Sequence, residues 1–508
     1  MMSKRESSSG KKMFRRAVLG GLVLLFAGLV YSLFRDVPGP DYPAEYRDSV
    51  DPLPSYGGER PNIILINADD LGFGDLGAYG SRAIKTPNID RLALEGTRFT
   101  DFHASDAVCT PSRAGLLTGR YAARMMLDTP LQAGREPLGK RVMVRLGYLA
   151  GRLGLLDLAT RRAAEGLHGA EITIAEALRA AGYRTGMVGK WHLGDYSSDP
   201  SFNPIHHGFD WFVGVPYSND MQPLPLYRNG EVLEEQVEDQ SILTGLYTRE
   251  AVDFIGSGGR GPFFLYFAHT FPHRPLFASV GFEGRSDAGL YGDVVEEIDW
   301  SVGRLLEVLE ETGLAENTMV FFTSDNGPWY QGSAGAYRGR KGQAFEGGHR
   351  VPFIAWAPGR YGEGVVSQVS ATNLDLFPTL LTAGGLALPD DRIIDGRDLT
   401  PVLTGETERS PHEYLYLYHH GDLEGVRSGH WKYFRNTSHY AWPMPVNKKL
   451  GGLANHTTGP APLLYDLRTD PGEAYNLASR YPEVVESLEA ALASWESRMA
   501  SDPLGFRR

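Results

Sequence analysis

The sequence predicts an α/β fold, a large sheet packed with helices, followed by a smaller C-terminal antiparallel sheet with a helix. Three observations carry this. Short apolar runs without polar alternation (Asn62 to Asn67, Tyr183 to Val188, Phe263 to Phe267 and Met319 to Phe322) suit strands buried on both faces. Glu171 to Ala181 and Gly292 to Leu309 have apolar residues recurring at three and four, the pattern of amphipathic helices. Beyond residue 400 the pattern changes. Tyr414, Tyr416 and Tyr418 alternate, Trp431-Lys432-Tyr433-Phe434 follows, and a last helix is predicted from about Pro482 to Met499.

A chain of 508 residues exceeds one ordinary core, so two domains are expected, 61–400 and 401–508, with the boundary between Asp395 and Glu413. The net charge of −12 excludes a general basic field for nucleic acid, and a polyanionic partner would be repelled at long range. Any anion capture must therefore be local. One cysteine, Cys109, leaves no internal disulfide and no lipoprotein anchor near the N-terminus.

Taken in order, residues 1–16 form a basic tail with Lys4, Arg5, Lys11, Lys12, Arg15 and Arg16. Residues 17–34 are apolar apart from Ser32 and small residues, long enough for a short membrane span. No Ala-x-Ala site precedes Arg35, so an uncleaved signal anchor is expected, with the basic tail cytoplasmic and the body periplasmic or extracellular. Cleavage would instead give a secreted protein. Residues 35–60, with Pro38, Pro40, Pro43, Pro52 and Pro54, read as an extended linker. The 138–165 segment mixes Arg141, Arg145, Arg152, Arg161 and Arg162 with leucines, a basic amphipathic pattern suited to an anionic membrane surface, a partner or the main domain.

The chemistry-bearing residues stand at the ends of the predicted strands. Asp69 and Asp70 follow the first apolar run, and Asp325 and Asn326 follow the last. Carboxylate and amide oxygens converging from two strand ends suit a hard cation such as Ca²⁺ or Mg²⁺. Around Cys109, Pro111 suits a first helical turn and Gly119 a helix stop. The spacing predicts a helix over Ser112 to Thr118 with Cys109 just ahead of its positive end and Arg113 facing the same spot. Lys190 and His192, two apart, point the same way if their strand continues. Two histidines, His269 and His273, follow the Phe263 to Phe267 run, while Lys341 opens a glycine-rich cationic segment without P-loop spacing. Trp211, Trp329, Tyr330, Tyr337 and the His419-His420 pair are candidates for a pocket rim. The His206-His207 pair lacks a second soft-ligand cluster for a metal site.

Cys109-Thr110-Pro111-Ser112-Arg113, followed by Leu116-Leu117-Thr118-Gly119-Arg120, resembles the signature of the type I sulfatases. Within that family, which belongs to the alkaline phosphatase superfamily, the sequence resembles the branch of arylsulfatase A and N-acetylgalactosamine-6-sulfatase. Lys190-Trp191-His192-Leu193-Gly194, the Gly214 to Asp220 segment, His273-Arg274-Pro275, Lys341-Gly342 through Glu346-Gly347-Gly348, and Leu464-Tyr465-Asp466-Leu467 extend the likeness over about residues 60 to 480. The resemblance implies a large mixed, mostly parallel sheet sandwiched by helices. It implies hydrolysis of an aryl or carbohydrate sulfate through a formylglycine made from Cys109 by a formylglycine-generating or sulfatase-maturing enzyme, and a covalent sulfo-enzyme intermediate. Asp69, Asp70, Asp325 and Asn326 become metal ligands, with converted Cys109 completing the set. Arg113, Lys190 and Lys341 would neutralise sulfate oxygens, Ser218 would touch the sulfate, His192 would handle the proton that drives release, and His273 would serve the leaving alcohol, with His269 in reserve. Two alternatives stand beside this reading: a phosphoester or phosphonate hydrolase of the same superfamily, and an inactive membrane-tethered sulfate-ester binding protein.

Overall fold

In the computed structural model the described residues are 42, 60–134, 164–259, 261–419, 421–441, 455–458 and 462–506. The basic tail, the apolar 17–34 segment, nearly all of the linker and most of the 138–165 segment lie outside them. No helix among the described residues is long and apolar enough to cross a membrane. The described residues from 42 to 133 and from 164 onward form one compact unit.

A ten-stranded sheet runs in the order 365–367, 97–99, 353–356, 318–324, 62–68, 263–268, 184–190, 211–215, 226–228 and 231–234. Its centre is parallel. Asn62–Ala68 pairs with Phe263–Ala268 on one side and Thr318–Ser324 on the other, and Arg184–Lys190 joins Phe263–Ala268 to Trp211–Val215. The antiparallel pairs lie toward the edges, so the sheet is mixed but mostly parallel at its core, as expected.

Asn62–Ala68 is buried throughout because both faces are covered. Ile63 and Leu65 pack with residues of the Cys109–Thr118, Ile174–Ala180 and Leu376–Ala383 helices. Ile64 and Ile66 face the other layer, with residues of the Pro87–Glu95, Leu243–Gly256 and Gly289–Glu311 helices. Each fully buried aliphatic side chain contributes about 1.5–3 kcal/mol from burial, which makes this strand the anchor of both cores.

Leu415–His419, Asp422–Ser428, Trp431–Phe434 and Leu463–Asp466 form a separate four-stranded antiparallel sheet. Leu488, Leu492 and Trp495 of the Pro482–Ser501 helix pack on Tyr416, Tyr418, Val426, Tyr433 and Leu464. The alternating tyrosines thus serve a core.

Candidate active site

All five central parallel strands deliver polar residues at their carboxyl ends, where open α/β sheets bind ligands. Ala68 lies opposite Ser324 in the ladder, so Asp69-Asp70 and Asp325-Asn326 leave the sheet side by side. Asp70 N donates to Asp325 Oδ1 at 3.2 Å, and Asn326 Nδ2 donates to Asp70 Oδ1 at 2.8 Å. Asp70 turns in the left-handed region, φ 65°, a conformation that Asp tolerates better than most residues.

The cysteine helix begins earlier than the spacing predicts. It spans Cys109–Thr118, with Val108 as N-cap, so Cys109 opens the first turn instead of preceding it. Pro111 fits inside this turn because the first four N–H groups of a helix lack intrahelical acceptors. Cys109 Sγ donates to Asp69 Oδ1 at 3.4 Å and accepts from Lys341 Nζ at 3.1 Å. Burial pushes the thiol well above its usual range, against the pull of Lys190 and Lys341. An unmodified Cys109 therefore holds its proton and is a weak nucleophile.

Arg113 is fully buried and points at the carboxylates. Its Nε donates to Asp325 Oδ2 at 2.8 Å, its Nη1 to Lys190 O at 2.9 Å, and its Nη2 stands 3.6 Å from Asp69 Oδ2. It fixes the acidic cluster from behind and is absent from the cavity wall.

Lys190 ends its strand. Gly189 before it has φ 113°, and a Cβ there would come within 1.8 Å of Ala268 O, so this close approach requires glycine. The strand stops at Lys190, contrary to the continued strand assumed for the Lys190/His192 pair. Trp191 N and His192 N turn to Val215 O and Pro216 O, and His192 takes φ 60°. Lys190 Nζ pairs with Asp69 and donates to Ser218 Oγ at 3.2 Å. His192 lines the same cavity as Cys109 by way of this turn. Its Nε2–H donates to Leu131 O at 3.0 Å, while Nδ1 is buried without a partner. Burial and the Lys190 charge push its pKa well down, so the ring is neutral and Nδ1 is an acceptor.

Between the two competing histidines, the structure brings His273 to the site. Its Nδ1 lies 2.9 Å from Asn219 Oδ1 and 2.6 Å from Arg274 O. Both are acceptors, so Nδ1 carries the proton and Nε2 is left for chemistry, 3.3 Å from Ser218 Oγ and 3.8 Å from Asp70 Oδ2. His269 is fully buried and packs on Phe267, with ring centroids 4.3 Å apart. Burial holds its pKa down to about 3. Lys341 Nζ sits 2.7 and 2.9 Å from the two oxygens of Asp70. The charges of Asp70 and its neighbours outweigh burial and keep it a cation.

The donor set fits a divalent cation. Ligand atoms of Asp69, Asp70, Cys109 and Asp325 lie within 4.8 Å of one another, all buried. Asn326 Oδ1 is buried with no hydrogen-bond partner. Burial and the neighbouring Asp69 charge push Asp325 up to about 6, the like-charge crowding that a cation relieves. Asp69 is held well below the carboxylate range, Lys190, His273 and Arg113 overcoming its burial. Oxygen donors of this kind suit a hard metal.

Above the cluster opens a cavity of about 360 Å³. Cys109, His192, Ser218, His273 and Lys341 line its floor side, and Pro130, Gln132, Met221, Arg274 and Trp329 also line it. Of the rim candidates, Trp329 is there. Trp211 instead lies under Arg228, Tyr330 packs on Trp329, Tyr337 lines a different cavity, His419 is buried, and His420 lies outside the described residues. His207 is buried beside Trp191 and gathers no metal cluster among the described residues. Sequence reasoning missed Asn219, although it stands inside the quoted Gly214 to Asp220 motif. It also missed Thr110, whose hydroxyl donates to His192 O at 3.0 Å and accepts from Leu131 N at 3.1 Å.

The sulfatase profile matches residues 61–386, and the profile of the C-terminal region of aryl-sulfatase matches residues 410–507. The chain belongs to the sulfatase family. Human arylsulfatase A is 39% identical over 470 residues, covering 84% of this chain and 86% of that protein. Mouse steryl-sulfatase is 34% identical over 557 residues, covering 90% and 85%. Among solved structures, the PsFucS1 sulfatase from Pseudoalteromonas superposes with a TM-score of 0.74 at 27% identity, covering 88% of this sulfatase and 91% of that chain. This sulfatase is thus a sulfuric ester hydrolase, and its family implies a divalent metal and a formylglycine.

Proposed function

We propose that this sulfatase cleaves an aryl or carbohydrate sulfate with formylglycine at position 109 as the nucleophile and Ca²⁺ or Mg²⁺ held by Asp69, Asp70, Asp325, Asn326 and residue 109. The observation that carries this is the convergence of three buried carboxylates, one cysteine, the buried cations Arg113 and Lys190 and the partly buried Lys341 at one end of the sheet.

When bound, the cation supplies Lewis-acid polarisation of the nucleophile and of a sulfate oxygen. The remaining work falls to the chain. A neutral thiol is too weak a nucleophile and would leave a stable adduct. A hydrated aldehyde attacks with one hydroxyl and expels sulfate by losing a proton from the other. His192 Nδ1, neutral and unpartnered, takes that proton. Lys190, Ser218 and Lys341 hold sulfate oxygens, and Arg113 orients Asp69 and Asp325. His273, with its Nδ1 proton tied to Asn219 and Arg274, presents Nε2 to the leaving alcohol and, once protonated, donates to it.

The profile matches support a catalytic domain over 61–400 and a C-terminal subdomain over 401–508. Residues 17–34 are proposed as a signal anchor that leaves the body on the non-cytoplasmic side, on their apolar length and the flanking basic tail. The same reading makes a formylglycine-generating or sulfatase-maturing enzyme the partner for maturation.

The Cys109→Ala variant tests the nucleophile. Hydrolysis of 4-nitrophenyl sulfate should fall to background while far-ultraviolet circular dichroism is unchanged. Mass spectrometry of the wild-type peptide should show –CHO in place of –CH2SH. Near-normal turnover by the variant overturns the assignment.

A further inference from the structure

The cavity wall carries a cation that the sulfate chemistry does not use. Arg274 follows His273 directly, and its backbone oxygen accepts the His273 Nδ1–H, so its position is tied to the group that faces the leaving alcohol. Its side chain is exposed and lines the cavity. The guanidinium lies over the indole of Trp329, 5.0 Å from the ring centroid. Among the described residues it has no ion-pair partner, unlike Arg113, Lys190 and Lys341, which are each committed to carboxylates. Asp220, the other charged residue on the outer wall, forms no ion pair with it.

A guanidinium stacked on an aromatic face keeps its N–H edge free, and that planar edge matches a carboxylate or a sulfate in two-point contact. Stacking also fixes the long side chain in advance, so less entropy is lost on binding. The net charge of −12 gives no long-range attraction for a doubly charged substrate, so a local cation would have to supply it. Asp220 would repel a second negative group on its own side and accept hydroxyl protons there, which directs the extra charge toward Arg274.

Resting on the proposed function, we infer that Arg274, laid on Trp329, is a specificity residue. It selects sulfate esters whose leaving alcohol bears a further anionic group, a carboxylate or a second sulfate, close to the scissile ester. The preference lies in the leaving group, since the scissile sulfate itself is held on the floor side of the cavity.

The test compares wild type with Arg274→Met, which keeps an unbranched side chain on the indole, and Arg274→Lys. The substrates are 4-nitrophenyl sulfate, a ring-carboxylated 4-nitrophenyl sulfate and a ring-sulfonated counterpart, the last two separating carboxylate from sulfate-type recognition. The readout is the ratio of kcat/KM for each ring-charged substrate over 4-nitrophenyl sulfate, whose only charge is the scissile sulfate. A charged hydrogen bond of about 1.5–3 kcal/mol predicts that this ratio falls about tenfold or more in Arg274→Met, mainly through KM. It should be partly kept in Arg274→Lys and fall in wild type as salt rises. The free phenols as product inhibitors should show the same ordering. An unchanged ratio, or equal losses on all three substrates, overturns the inference while leaving the sulfatase assignment standing. Failure of wild type to turn over any of them counts instead against the proposed site.

Discussion

At the scale of single residues, the site is a set of charges whose neighbours decide their protonation. His192 and His273 differ in which nitrogen is free: Nδ1 in the first, because Nε2–H is tied to Leu131 O, and Nε2 in the second, because Nδ1 faces two acceptors. Asn219 is oriented in turn, its Nδ2 donating to Gln240 Oε1 at 2.9 Å and Pro275 O at 3.0 Å. It is a positioning residue. Asn219→Ala should lower kcat about tenfold to a hundredfold with little change in KM, since it loosens the tautomer and orientation of His273 without touching the sulfate. The loss should shrink for substrates with good leaving groups, which need less proton donation. A uniform loss across leaving-group pKa would mean that Asn219 only supports the fold. The histidines and charged residues of the site were visible in the sequence, unlike Asn219, but their tautomers and free atoms were not. They depend on carbonyls such as Leu131 O that carry no sequence signature.

Elements translate those residues into a site. The Asp69-Asp70 and Asp325-Asn326 pairs were legible because each ends an apolar run, and adjacent parallel strands in register must bring such ends together. The helix start was not legible to within three residues, because Pro111 is compatible with several positions of a first turn. Nor was the break after Lys190, since only the partner strand reveals that Trp191 and His192 turn to Val215 O and Pro216 O. The helix stop was clear: Gly119 adopts φ 68° and its N–H closes on Gly115 O at 2.8 Å. A Cβ at Gly119 would lie 2.8 Å from Phe377 Cβ. Gly119→Ala should therefore cost about 1–2 kcal/mol from the left-handed backbone, plus whatever the Phe377 contact adds. Thermal unfolding monitored by circular dichroism should show a lower midpoint. An unchanged midpoint would mean that this helix end relaxes without strain.

On the scale of the whole molecule, buried charges tie the four-stranded sheet to Asp101, just beyond strand 97–99, and to Glu346, and so brace the segment that carries Lys341. Arg427 of the small sheet grips Asp101 with two bonds, at 2.7 and 2.6 Å, and Lys432 lies 2.9 Å from Glu346 Oε1 and 3.2 Å from Glu473 Oε1. Glu346 opens the short helix five residues after Lys341. Burial would raise the Asp101 and Glu346 carboxyls, but Arg350 and Arg427 for the first, and Lys432 and Arg350 for the second, hold both well below the usual range. Their stabilisation is therefore complete above the ordinary carboxyl pKa near about 4 and is lost as pH falls below it. Glu473 has the opposite sign. Burial and the charge of Glu346 outweigh Lys432 and push it up to about 7, so the fold favours its protonated form and loses that contribution as pH rises through about 7. Glu473→Gln keeps an oxygen for the backbone N–H of Glu346, which now donates to Glu473 at 2.7 Å, and removes the titration. Between about pH 5 and about pH 8 the variant should lose less stability than wild type, by on the order of 1 kcal/mol, while the two proteins lose stability alike below about pH 4. Unfolding midpoints measured across this range decide it, and parallel curves on the alkaline side would show that Glu473 is already ionised beside Lys432.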